Sequence, residues 1–142
     1  PHAGFLLDGM LTMVDRDAFL FNPFLSGNVN VCKLTPASDG VRTQPVGSDW
    51  SKVLADALGE SSVRLIPVGN GDEIQGFWEM WNLGGNMLTL APGLVVCYDR
   101  NKITLDLLDK AGIEVRTFEG AELSRGRGGA RCMSMPIIRE AL

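Results

Sequence analysis

Two stretches of this chain repeat one another. Leu54, Asp56 and Gly59 in "LADALG" recur about fifty residues later as Leu107, Asp109 and Gly112 in "LLDKAG". Each block runs on into a strand-like segment containing Val-Arg, first Val63-Arg64 and then Val115-Arg116. An apolar helical face stopped by glycine and followed by a strand is half of a βαβ crossover. Its recurrence predicts a repeat architecture and a mixed α/β fold with helices at about 48–59 and 103–111. Two such units leave strand edges and apolar faces that need neighbours.

The segments around these blocks fit the same plan. "GFLLDGMLTMVDRD" reads as a largely buried strand ending in a polar turn, and "AFLFNPFLSG" and "NVNVCKLTP" as further strands. Ser48 or Asp49 can cap the first helix, whose apolar face is Val53, Leu54, Ala57 and Leu58, with Gly59 as its stop. "SVRLIPVG" and "IEVRTFEG" are the returning strands. "NMLTLAPGLVVCYDRN" is two strands joined at Ala91-Pro92-Gly93. "KITLDLLDKAG" turns Leu105, Leu108 and Ala111 inward. "NGDEIQGFWEMWNLGGN" reads as loop with a helical turn. Trp78 and Trp81, three apart, are expected to pack such a turn on the core.

Composition excludes several function classes. The chain is 45% hydrophobic and 21% charged, so a globular core is expected. Its net charge of −4 argues against non-specific binding of nucleic acid or anionic membrane. No apolar run nears the roughly 18 residues of a spanning helix, and the N-terminus lacks a signal-peptide pattern. The three cysteines, Cys32, Cys97 and Cys132, form no CxxC, so neither a disulfide framework nor a zinc site is indicated, and a reduced, cytoplasmic setting is the default. Cys32 and Cys97 sit in β-like runs, where cysteine usually packs as a small hydrophobe.

Cys132 is different in context. "SRGRGGARCMSMP" sets it after Arg125, Arg127 and Arg131, interspersed with Gly126, Gly128 and Gly129. Nearby cations lower a thiol's pKa from about 8.5 by stabilising the thiolate. Glycines let backbone approach a ligand closely. A structural thiol beside a solvated basic turn is the plainer reading. For Asp8 the plainer reading is a strand-end carboxylate with local hydrogen bonds. "RGRGG" lacks the Lys-Ser/Thr of a phosphate loop, and one short tract in an acidic chain is a weak RNA-binding signal.

"AELSRGRGGARCMSMPIIRE", with "APGLVVCYDRN" and "KAGIEV" before it, closely resembles the C-terminal end of bacterial arginine deiminases. "LLDGMLTMVDRDAF" resembles the strand that carries their His-x-Asp pair. "FLSGNVNVCKLTPASDG" and "FWEMWNLGGN" fit that family poorly. The resemblance implies the pseudo-five-fold α/β propeller of guanidine-modifying enzymes, with two ββαβ modules in this chain, at about 1–70 and 85–142 of a single domain spanning 1–142. It implies conversion of L-arginine to L-citrulline and ammonia through a covalent cysteine intermediate, with no metal or organic cofactor. Cys132 matches the nucleophile, Arg127 the arginine that holds the substrate carboxylate and guards the pocket, and Asp8 a carboxylate that grips the guanidinium. Implied partners are L-arginine or a related guanidine compound, and either further copies of the chain or the N-terminal part of the enzyme. No nucleic acid or membrane partner is expected.

The resemblance breaks at specific positions. Leu6 stands where the general acid/base histidine is expected, and Leu83 where a polar residue, usually Asp, is expected. A second guanidinium-binding Asp and a catalytic Glu lie upstream of the matched region in that family. His2, the only histidine, would lie ~13 Å along a strand from Leu6 at about 3.3 Å per residue; a surface or terminal role is the expectation for it. A catalytically impaired relative, acting as an arginine-binding or protein-assembly module, is the alternative.

Overall fold

A computed structural model describes residues 7–25 and 29–138 of the chain. His2 and Leu6 lie outside the described residues. The first sheet has the order β1-β2-β5, with β1 Leu11–Met13, β2 Ala18–Phe21 and β5 Arg64–Pro67. β1 and β2 are antiparallel, with Thr12 opposite Leu20, and β2 and β5 are parallel, with Leu20 opposite Ile66. Helix α2, Trp50–Leu58, makes the crossover. A second sheet repeats the succession. β6 Leu88–Ala91 pairs antiparallel with β7 Leu94–Tyr98, α4 Lys102–Lys110 crosses over, and β8 Glu114–Phe118 pairs parallel with β7. The fold is mixed α/β.

The helix ends follow local chemistry. Asp49 caps α2 by accepting from the Lys52 N–H at 3.2 Å, and Gly59 closes it at φ 74°. The inward face of α2 is rotated from the expected one. Ala55 is buried and Leu54 packs beside it with Phe19 and Val63, whereas Ala57 and Leu58 face out.

β2 is buried on both faces, as its unbroken apolar run requires. Phe19 faces α2, and Ala18 and Leu20 face a core shared by both units. That core joins Val14, Ile66 and Val68 from the first unit to Met87, Val95, Cys97, Leu108 and Ile113 from the second. Backbone bonds tie the units together: the Gly93 N–H donates to the Val14 carbonyl at 3.0 Å.

Two insertions depart from the repeat. β3 Val31–Ala37 and β4 Gly40–Gly47 form a separate two-stranded hairpin between β2 and α2, almost wholly exposed. It covers most of the stretch that fits the family poorly. Cys32 on it is exposed, against the expectation of burial. "NGDEIQGFWEMWN", expected as loop with a helical turn, contains a full helix, α3 Glu73–Trp81, capped by Asp72 through the Gln75 N–H. Its inner face is Gly76 and Glu79, so Trp78 and Trp81 point outward instead of packing on the core. The buried Glu79 carboxylate accepts from the Ile103 and Thr104 N–H groups at 2.9 and 3.0 Å, closing the N-terminus of α4. Among the described residues no helix is long and apolar enough to cross a membrane.

Candidate active site

Asp8 lies on a single helical turn, α1 Leu7–Met10, which leads directly into β1. The expected strand gives way to this turn because Gly9 and Met10 must bring the chain against "GGN" at 84–86. A side chain at Gly85 would run into the Gly9 carbonyl, so glycine is required there. Thr12 Oγ1 lies 2.6 Å from the Asp8 carbonyl and 2.7 Å from that of Gly85, joining the two segments.

Cys132 comes from the far end of the chain and is exposed. Its Sγ lies 3.8 Å from Asp8 Oδ2. Residues 124 apart thus face each other. Two side chains hold the loop that carries the thiol. Asn86 Oδ1 accepts from the N–H groups of Gly129 at 3.0 Å and Cys132 at 3.1 Å. A side chain at Gly129 would run into Asn86, so this approach needs glycine. Tyr98, at the end of β7, donates its phenol proton to the Gly128 carbonyl at 2.9 Å. Burial, and then the neighbouring Cys132, push the Tyr98 phenol above its ordinary value of 10.0.

Arg125 and Arg127 are engaged away from the sulfur. Arg125 pairs with Glu122 at 3.2 Å. The Arg127 guanidinium carbon lies 3.9 Å from the centroid of the Trp81 ring, a cation–π arrangement. The charged group that the sulfur contacts is the Asp8 carboxylate. Arg127 borders a cleft of about 460 Å³ together with Trp81, Asn82, Arg100, Ser124 and Arg125. Arg100 is bound at 3.3 Å to the Ala121 carbonyl and at 3.0 Å to the Ser124 hydroxyl.

Cys97 is inert by contrast. Burial, helped by the Asp99 charge, pushes its thiol up to about 12. Leu83 is half-buried at φ 64°, in the left-handed region where Asn or Asp is better accommodated than leucine. It does not line the cleft.

Sequence reasoning therefore singled out Asp8 and Cys132, which the fold brings together, and Arg127, whose guanidinium it sets on Trp81. It missed Asn86 and Tyr98. The available signal for Asn86 was the glycine pair before it, which allows two backbones to meet at a polar residue. Tyr98 read only as the end of a strand.

Comparison with known proteins supplies the class. The family described as arginine deiminase matches residues 2–139, and the chain belongs to that family. Among its relatives, arginine deiminase of Levilactobacillus brevis is 45% identical over 144 residues, covering 99% of this chain and 35% of that protein. Arginine deiminase of Pediococcus pentosaceus is 46% identical over 142 residues, covering 98% and 35%. That of Streptococcus gordonii is 43% identical over 136 residues, covering 96% and 33%. The chain spans about a third of the length of these curated relatives.

Proposed function

We propose that this chain carries the nucleophile of an arginine-deiminase-type amidine hydrolase. The observation that supports this best is the exposed Cys132 thiol 3.8 Å from the Asp8 carboxylate. The carboxylate can accept two parallel N–H bonds from a guanidinium and hold its central carbon beside the sulfur.

The reaction follows from that placement. The thiolate adds to the guanidinium carbon of L-arginine. A proton reaches a terminal nitrogen, its C–N bond breaks, and ammonia leaves. Water then adds to the thiouronium carbon, the C–S bond breaks, and L-citrulline and the thiol are released. Arg127, swung from Trp81, would bind the substrate carboxylate and cover the site.

The acid/base step is the weak one. Leu6 cannot deliver the proton or activate the water, work typically worth ~10²–10⁴-fold, or about 3–5 kcal/mol of barrier. We therefore assign the chain to the C-terminal part of a pseudo-five-fold α/β propeller, with modules at about 1–70 and 85–142 of one domain. The remaining groups would come from a longer polypeptide or a second subunit in the cytoplasm. The substitution of Leu6 for histidine favours a second reading, an impaired relative that binds a guanidine compound or acts in assembly.

An ammonia and citrulline assay separates these readings. The chain alone is expected to turn over arginine very slowly, and to accelerate when upstream polypeptide of a relative is added. Mass spectrometry after incubation with arginine should show an adduct on Cys132 and none on Cys97. Rapid citrulline formation by the chain alone would overturn the role given to Leu6. Absence of any adduct or product with upstream polypeptide present would leave the impaired reading.

A further inference from the structure

Asp8 and the Cys132 loop are joined by one side chain. Asn86 is 3% exposed. Its Nδ2 donates to Asp8 Oδ2 at 3.0 Å, and its Oδ1 accepts from the N–H groups of Gly129 and Cys132 at 3.0 and 3.1 Å. This amide orientation is dictated by its partners, since an ionised carboxylate only accepts and a backbone N–H only donates. Flipping the amide would set oxygen against oxygen on one side and N–H against N–H on the other. The same Asp8 oxygen faces Asn86 Nδ2 and the Cys132 sulfur. Asn86 thus contacts both members of the candidate pair and holds both from one rigid group.

We propose that Asn86 is a positioning residue that couples the Asp8 carboxylate to the Cys132 thiol, setting their separation for a guanidinium to bridge them. The inference rests on the reading of Cys132 as nucleophile and Asp8 as guanidinium binder. A neutral amide suits the task. It orients Asp8 by donation without adding a second negative charge beside a thiol that must ionise. The titratable groups that the structure sets beside the thiol and its loop are Asp8 on α1, whose Oδ2 the sulfur contacts, and Tyr98 on β7, which binds the Gly128 carbonyl, while Arg127 is turned onto Trp81.

The test is the pH profile of Cys132 alkylation by iodoacetamide, read by peptide mapping on the full chain. Asp8→Asn removes the anion beside the sulfur, and the midpoint should fall by roughly half to one pH unit. In an Asn86→Ala background the loop is no longer held against Asp8. There Asp8→Asn should move the midpoint by less than about a third as much. An equal shift in both backgrounds overturns the proposal, because the placement of Asp8 beside the sulfur would then not depend on Asn86.

Asn86→Asp covers the case in which Asn86→Ala fails to fold. It keeps the acceptor for both N–H groups and sets a second carboxylate against Asp8, so the midpoint should rise by about one unit. An unmoved midpoint counts against the coupling. In the unmodified chain, the Gly129 and Cys132 amide resonances should follow the acid titration of Asp8, and flat profiles there overturn the proposal whatever the variants do. Protection of Cys132 by millimolar arginine reports the substrate reading separately. Lost protection with the pH shifts intact removes that reading and leaves the coupling standing. Protection without the shifts removes Asn86 alone.

Discussion

Arg127 rests its guanidinium on the Trp81 ring, 3.9 Å from the centroid, from a backbone at φ 65° and ψ 159°. That region is nearly confined to glycine and costs other residues ~1–3 kcal/mol. Stacking at an exposed site offsets only about 0.5–1 kcal/mol of this. Arg127→Ala loses the side chain and keeps the strain, whereas Arg127→Gly loses both. Denaturant titration should find Arg127→Gly more stable than Arg127→Ala by about 1–2 kcal/mol. Equal stabilities would show that the backbone relaxes without cost.

Thiol labelling should separate the three cysteines by surroundings. With its pKa pushed to about 12, Cys97 holds on the order of one thiolate in ten thousand at pH 8. Iodoacetamide should modify the exposed Cys132 and Cys32 in the folded chain and leave Cys97 unmodified until denaturant is added. Early labelling of Cys97 would contradict its burial in the shared core.

The Glu79 carboxylate is the polar pin between α3 and α4. It accepts two backbone N–H groups and the Thr104 hydroxyl, the last at 2.5 Å. Glu79→Ala should cost roughly 2–3 kcal/mol of stability in urea titration, because buried donors lose a charged acceptor. Glu79→Gln should cost clearly less, since its carbonyl oxygen can still accept. A loss from Glu79→Gln as large as that from Glu79→Ala would show that both carboxylate oxygens are needed as acceptors, one for the Ile103 N–H and one for the Thr104 N–H and hydroxyl.

The Arg64–Asp17 pair predicts a modest acid dependence. Arg64 binds Asp17 at 2.7 Å and Asp15 at 3.1 Å. The hydrogen bond from Arg64 holds the Asp17 carboxyl below its ordinary value of 3.8. A carboxyl depressed in the folded state contributes stability that is fully present above 3.8 and lost as pH falls through the lowered value. The pair is exposed, so the effect is small and screened by salt. Melting temperature from about pH 5 down to about pH 2.5 should fall less steeply for Asp17→Asn than for the parent chain. Parallel curves would show that the pair contributes nothing.

Much of the fold was legible along the chain. The repeated helix–Gly–strand blocks became α2 with β5 and α4 with β8, because caps, stops and apolar spacing act within a few residues. The elements that were misread depend on distant partners. α3 presents Ile74, Phe77, Trp78 and Trp81 to solvent, and its inner face is a glycine and a glutamate, so its hydrophobic pattern points the wrong way. The β3–β4 hairpin, the exposed Cys32 and the helical turn at Asp8 were hidden for the same reason. Nothing local separates a strand that joins a sheet from one that stands apart.

By itself, the sequence determined the α/β class, the repeated helix–Gly–strand blocks and the family, since each is carried by residue types at short spacing, and it singled out Asp8 and Cys132 as candidates. Tertiary structure alone decided that the two side chains face each other at 3.8 Å, that Asn86 joins them, and that Arg127 stacks on Trp81. Those contacts close over long separations in sequence. Their geometry follows from how the two units share one core and from which glycines let backbone segments meet, and chain order records neither.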